Sequence, residues 1–234
     1  MKTQEMADTV YERRPAWAKG SISLSDARFL YDRALKSTAE TVVEIGTASG
    51  VSTAVLCSAV AQRATEYSIA TYDISPSFYG DRRRRAGSAA IEMLPAEQMA
   101  HVKLRNPATA LDVGGDFPED SLGFAFIDAA HKHPWPALDL LAVLPSLEPG
   151  AEVALHDINL PLINPDWQAW GVKYLFDELD LEKHVDPASE TPNIGSIIVP
   201  GDKEELRAQV LASIEAHDFE VEVPEETLRH FQPT

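Results

Sequence analysis

Cysteine is almost missing from this chain of 234 residues, with Cys57 its single instance. An intramolecular disulfide is therefore excluded, which fits a reducing compartment such as the cytoplasm. Cys57 lies in the apolar run Ala54-Val55-Leu56-Cys57, the setting of a buried structural thiol rather than a nucleophile. No stretch approaches the roughly 18 apolar residues that suggest a membrane span. The opening Met1-Lys2-Thr3-Gln4-Glu5-Met6 has none of the apolar core of a secretion signal. A cytoplasmic protein without a membrane partner is expected. Basic residues are also scarce: 20 Lys and Arg stand against 37 Asp and Glu, a net charge of −17. Such a surface repels a phosphate backbone, which argues against nucleic acid as a partner. Internal repeats and low-complexity segments are absent.

What is present is enough apolar material, 44% of the chain, for a sizeable core. The length suits one domain over residues 1–234, with an N-terminal extension over 1–20 and a C-terminal helix and edge strand over 201–234. Between these ends, strand and helix patterns alternate. Short apolar runs at Thr41–Gly46, Ser68–Asp73, His101–Leu104, Leu122–Asp128 and Ala151–Leu155 read as buried strands. Helical patterns occupy Ser23–Lys36, Val51–Gln62, Asp81–Leu94 and Pro136–Leu147. Asp166–Leu181 and Lys203–His217 read as later helices, Gly195–Val199 as a late strand and Phe219–Val223 as a final edge strand. This order predicts an α/β, doubly wound, Rossmann-like fold with a mostly parallel seven-stranded sheet flanked by helices.

The segment Glu44-Ile45-Gly46-Thr47-Ala48-Ser49-Gly50-Val51-Ser52 joins the first strand to a helix. Glycines in such a turn let the backbone approach a ligand and present free amides at the helix start. Those amides suit a phosphate or a carboxylate, so the loop alone fits a dinucleotide or S-adenosylmethionine. Two features separate them. The spacing is Gly-x-x-x-Gly rather than the Gly-x-Gly-x-x-Gly of a pyrophosphate loop. Glu44 places a carboxylate just before the first glycine, where it would oppose a pyrophosphate but attract an ammonium or sulfonium. Asp73 ends the second strand, where a carboxylate can accept both hydroxyls of a ribose.

With these residues the chain resembles class I S-adenosylmethionine-dependent methyltransferases, over roughly Ser21 to Pro200. The resemblance implies that Glu44, Gly46 and Thr47 hold the methionine end of the cofactor and Asp73 its ribose. It also implies that Ser52 binds the methionine carboxylate and that Ile74 lies beside the adenine. Arg105-Asn106-Pro107-Ala108 departs from the family's usual Gly-x-Ser after the third strand.

The fourth strand runs into Ile127-Asp128-Ala129-Ala130-His131-Lys132-His133, and the fifth into Leu155-His156-Asp157. Neighbouring strands lie about 5 Å apart, so Asp128, His156 and Asp157 can converge into a mixed carboxylate and imidazole cluster able to hold a divalent ion. Asp-x-x-His followed by Pro-Gly and a strand ending His-Asp is similar to the metal-dependent small-molecule O-methyltransferases of the catechol and antibiotic-sugar types. That resemblance implies a metal on Asp128, His156 and Asp157, with Asp128 also bordering the cofactor. It makes His131 the general base, a role suited to imidazole, which takes a proton near neutrality. His133 is the alternative base. The relatives carry an acid where this chain has His156, so manganese or a softer ion competes with magnesium, which prefers oxygen ligands, and a site without metal is open.

The run Arg82-Arg83-Arg84-Arg85 reads as a solvated helix face. Trp167, Trp170, Tyr174 and Phe176 read as core, homodimer contact or a lid over the acceptor. The leading function is O-methylation of a small hydroxylated molecule. Its rivals are methylation at nitrogen or of a macromolecule, a nicotinamide-dependent oxidoreductase, and a cofactor-binding protein whose catalysis has drifted.

Overall fold

A computed structural model describes residues 3–231. At its centre is a seven-stranded sheet in the order β3-β2-β1-β4-β5-β7-β6. Strands β1 (Thr41–Ile45), β2 (Ser68–Tyr72), β3 (Val102–Arg105), β4 (Leu122–Ile127) and β5 (Leu147–His156) run parallel. β7 (Ile194–Ile198) runs antiparallel beside β5, and β6 (Lys183–Val185) pairs antiparallel with β7 at the edge. The chain order reverses between β1 and β4, so the crevice outside their carboxyl ends is the place where an open sheet binds ligands.

Helices α1 (Thr3–Glu12), α2 (Leu24–Lys36) and α3 (Val51–Ala61) cover one face. Every residue of α3 from Val51 to Val60 is buried, because α1 and α2 pack over it on the side away from the sheet. Its Ser52, Thr53, Ala54, Ser58 and Ala59 are small enough to allow that approach. α4 (Ser88–Met93) and α5 (Ala96–Met99) lead into β3, and α6 (Val113–Asp116) precedes β4. The opposite face is covered by α7 (Trp135–Val143), α9 (Gly171–Glu178) and α10 (Lys203–Ala216), with α8 (Leu160–Ile163) between β5 and α9. α11 (Glu225–Phe231) ends the described chain.

α2 starts where Ser23 and Asp26 form a capping box: Ser23 Oγ accepts from the Asp26 amide, and the Asp26 carboxylate accepts from the Ser23 amide at 3.0 Å. Farther along, Arg33 donates to both oxygens of Glu152 on β5, at 2.5 and 2.9 Å, and Ser196 on β7 donates to the same carboxylate. This bidentate pair fixes α2 against the sheet.

Several sequence expectations differ from the structure at their edges. The N-terminal extension contains α1, which packs on α2 and α3 through Ala7 and Tyr11. Only Ser88–Met93 of the expected Asp81–Leu94 helix forms; Gly87, at φ +82°, starts it, and the arginine run lies in the preceding turns. There Arg83 pairs with Asp81, and Arg84 stacks over Trp17 at 4.1 Å from the ring centroid. Of Asp166–Leu181, only α9 is α-helical, since Gln168 in a left-handed conformation closes the 3-10 turn before it. Phe219–Val223 is not a strand. Glu220 accepts from the amides of His133 and Trp170 and donates its own amide to the His133 carbonyl, which holds this segment against the loop after β4. The seventh strand is instead Lys183–Val185.

Candidate active site

The loop after β1 owes its position to glycine. Gly46 has φ +102°, and a Cβ there would stand 2.1 Å from the carbonyl oxygen of Asp128. The Gly46 amide donates to Tyr72 O at 2.8 Å, and the Asp128 amide donates to Ile45 O at 2.8 Å. Any side chain would therefore push apart the ends of β1 and β4. Gly50, at φ +93°, begins α3 and leaves its first amides unbonded within the helix. Asp73 bridges the ends of β1 and β2: Oδ2 accepts from the Ala48 amide and Oδ1 from the Ser75 amide, each at 2.8 Å. Thr47 is buried, with its hydroxyl 2.6 Å from that of Thr71.

Glu44 lies under this loop and is 0% exposed. Oε2 accepts from the Thr53 hydroxyl, while Oε1 is buried without a hydrogen-bond partner. Burial pushes its carboxyl up to about 7, and the hydroxyls of Ser52, Thr53 and Thr71 oppose that rise. An unpaired buried carboxylate oxygen beneath a loop of free amides fits a ligand that is cationic at one end and anionic at the other. Because Glu44 is sealed from solvent, it acts on such a ligand through its charge. Ser52 is buried beside it on α3. Ile74 is 77% exposed next to Asp73, an apolar face left open at the mouth of the crevice. Leu104, Arg105, Asn106, Pro107 and Ala108 line an open cavity of about 360 Å³ on the same side, and the Ala108 amide donates to Asp73 O at 2.8 Å.

At the other end of the crevice, β4 and β5 bring Asp128, His156 and Asp157 together. His156 Nδ1 lies 3.1 Å from Asp128 Oδ1 and 3.5 Å from Asp157 Oδ2, while Nε2 lies 3.3 Å from Asp26 Oδ2. Burial by itself would lower the pKa of His156, but the charge of Asp128 and hydrogen bonds to Asp128, Asp157 and Asp26 raise it well above 6.5. Burial would raise Asp26 and Asp157, yet hydrogen bonds from His156 lower both. His156 is thus an imidazolium among three carboxylates. Asp157 sits at φ +64°, a left-handed conformation that costs a non-glycine residue energy and that clusters at functional sites. Its Oδ1 accepts from Asn193 Nδ2 at 2.6 Å.

His131 Nδ1 is 3.2 Å from Asp157 Oδ2, but the two are not aligned for a hydrogen bond, and the nitrogen is buried without a partner. Asp128, His131 and Asp157 each offer one ligand atom, and these atoms all lie within 4.8 Å of one another. Two of the three ligands expected from sequence therefore stand in an ion-sized cluster, with His131 as the third member. Both His156 nitrogens face carboxylates. An ion here would meet two carboxylate oxygens and one imidazole nitrogen, a set suited to manganese as well as to magnesium.

His133 is not at this centre. It is buried, its Nε2 faces Ile214 O at 3.1 Å, and its ring meets Tyr174, His217 and Phe219 edge-on. Trp167 is 55% exposed, and its ring centroid lies 6.4 Å from that of His131. Tyr174 stacks on Trp170 and on His217 instead. Sequence reasoning missed Asp26, which the pairing of α2 with β7 carries to the site. Its visible signal, Ser23-x-x-Asp26, reads only as a helix cap. Tyr79, 66% exposed, lies within the field of this cluster: its hydroxyl donates to Gly20 O at 2.9 Å, and partial burial with the charges of Asp128 and Asp157 raises its pKa.

Residues 43–158 match the model of a methyltransferase domain. No curated protein matches the chain. Among solved structures, cofactor-bound Rv0187 from MTB superposes with a TM-score of 0.59 at 16% identity, covering 86% of this chain and 90% of that one. The O-methyltransferase TomG from Streptomyces achromogenes, in complex with SAM, gives 0.54 at 20% identity, covering 85% and 90%. The O-methyltransferase from Bacillus cereus, in complex with SAH, gives 0.56 at 16% identity, covering 84% and 90%. No helix among the described residues is long and apolar enough to cross a membrane.

Proposed function

Because the chain carries a methyltransferase domain of the S-adenosylmethionine-dependent class, we propose that it methylates a hydroxyl oxygen of a small molecule. The observation that carries this reading is the placement of His131 Nδ1, buried and without a hydrogen-bond partner, beside the carboxylates of Asp128 and Asp157 at the end of the cofactor crevice. The O-methyltransferase activity of TomG and of the Bacillus cereus protein belongs to those proteins and agrees with it.

Bound in the crevice, S-adenosylmethionine supplies an electrophilic methyl group on a cationic sulfur. Amides at the start of α3 and the Ser52 hydroxyl would receive its carboxylate, while Glu44 would attract its ammonium from below. Asp73 would accept from its ribose hydroxyls, and Ile74 would cover its adenine. At the far end, His131 takes the proton of the acceptor hydroxyl, which leaves the oxygen with the electron pair needed for attack. A divalent ion on Asp128, His131 and Asp157 would lower the pKa of that hydroxyl; His131 would then be a ligand, and the proton would leave to solvent.

The test is calorimetry on the purified chain. S-adenosylhomocysteine binds and NAD does not, and a labelled methyl group from S-adenosylmethionine appears on oxygen of a hydroxylated acceptor. Absence of S-adenosylhomocysteine binding to folded protein overturns the reading.

A further inference from the structure

A cavity of about 230 Å³ opens between the first turn of α2 and the loop 186–194, on the Asp26 side of His156. We propose that this cavity is the acceptor subsite and that it selects a small hydroxylated organic cation, an inference that rests on the methyl-transfer reading. Its volume lies below the roughly 300 Å³ at the lower end of small-molecule pockets, so it suits one ring or a short chain.

The lining sets the chemistry. Hydroxyls come from Ser23, Ser25, Ser189 and Thr191, carboxylates from Asp26 and Asp186, and no Lys, Arg or His is among the lining residues. Such walls offer acceptors to hydroxyl and ammonium donors and repel an anion. Arg28, the basic side chain whose charge Asp186 feels, is committed elsewhere: Nε and Nη2 donate to Asp8 at 2.6 and 2.8 Å.

Two residues connect the cavity to the reactive cluster. Asp26 takes the hydrogen bonds of Ser23 and the contact with His156 Nε2 on Oδ2, which leaves Oδ1 for a ligand. Asn193 donates through Nδ2 to Asp157, and its Oδ1 is buried without a hydrogen-bond partner. A buried amide oxygen in that condition calls for a donor. An ammonium group held by Asp26 and Asp186, with a hydroxyl donating to Asn193, satisfies the open acceptors together. Asn193 then links the ligand to Asp157, which its Nδ2 reaches at 2.6 Å.

The experiment is titration calorimetry on the full chain saturated with S-adenosylhomocysteine, using glucosamine, glucose and glucuronate. The three share a hydroxylated ring and differ in charge. Glucosamine binds more tightly than glucose, and glucose more tightly than glucuronate, with about tenfold or more between the extremes, the worth of one good charge-assisted hydrogen bond. Asp186→Asn and Asp26→Asn each narrow that interval; Asp186→Asn guards against a folding defect from the buried Asp26. If glucosamine binds no better than glucuronate, including the case where neither binds, the inference is overturned. A preference that survives both substitutions places the subsite elsewhere and also overturns it. Because S-adenosylhomocysteine binding is measured first, its absence marks failure of the methyl-transfer reading itself.

Discussion

His156 Nε2 lies 3.3 Å from Asp26 Oδ2, joining the end of β5 to the first turn of α2 across 130 residues of chain. The other ring nitrogen faces Asp128, so the ring donates in both directions and carries a positive charge. Removing it leaves three carboxylates facing one another, those of Asp26 and Asp157 buried and that of Asp128 half-buried. His156→Ala is expected to cost about 3–5 kcal/mol of stability, the usual penalty for breaking a buried ion pair, measured by urea unfolding at pH 7. The folded pKa is raised, so this stabilisation is complete below about pH 6.5 and is lost as pH rises through the raised value. The gap between wild type and variant should therefore narrow in the alkaline range. Adding Asp26→Asn should recover part of the loss.

Glu44 gives a pH dependence of the same direction in a lower window. Its folded pKa of about 7 stands above the ordinary carboxyl value of 4.5, so the folded state holds a proton that the unfolded state has released. Stability from this group therefore falls as pH rises from 4.5 to about 7 and is level above it, by roughly 3 kcal/mol for a shift of this size. Glu44→Gln should remove that slope from a series of unfolding curves. A cationic ligand favours the ionised form, so wild-type affinity for S-adenosylmethionine should weaken as pH drops below 7, with a flatter profile in Glu44→Gln. A wild-type binding profile that does not change between pH 6 and 8 would contradict this role for Glu44.

The parallel strands and the glycine loop are legible in the sequence because local pattern determines them. Val42, Val43 and Ile45 read as a buried strand whatever surrounds them, and Gly46 and Gly50 mark a turn that only glycine adopts easily. The end of β4 is equally plain, since Asp128 follows an apolar run. What the sequence hides is long-range pairing. Asp26 looks like a helix cap, and nothing near it in the chain shows that α2 will press it against His156. His133 looks as catalytic as His131 until Glu220, far along the chain, ties the His133 backbone down. The arginine run looks helical by propensity, but Gly87 and the Arg83–Asp81 pair fix a turn instead.

Gly46→Ala tests the junction between the two halves of the site. The new methyl would overlap the Asp128 carbonyl, and φ +102° is itself unfavourable for alanine. Backbone lies on the receiving side, so no side chain can swing away. A loss of at least about 2 kcal/mol is expected from strain and displacement, and affinity for S-adenosylhomocysteine should drop with it, because β1 and β4 must separate. Circular dichroism melting and calorimetry read the two effects. Gly114→Ala is the control, since an added Cβ there meets nothing within 4 Å.

In the proposed reaction His131 takes the proton of the acceptor. Its side chain lies beside Asp157 and the exposed Trp167 ring, away from Glu44 and Asp73 in the proposed cofactor end of the crevice. His131→Ala should therefore leave S-adenosylmethionine affinity unchanged while lowering kcat by about 10²- to 10⁴-fold, the usual worth of a positioned general base. The pH profile separates base from ligand. With a base removed, the remaining rate should rise with pH as solvent hydroxide replaces the imidazole, and manganese affinity should be the same in both proteins. With a ligand removed, manganese binding measured by calorimetry should weaken together with turnover, and added manganese should restore part of the rate. Full turnover in His131→Ala would exclude both roles and move the proton acceptor to Asp128 or Asp157, the remaining oxygen atoms of the same cluster.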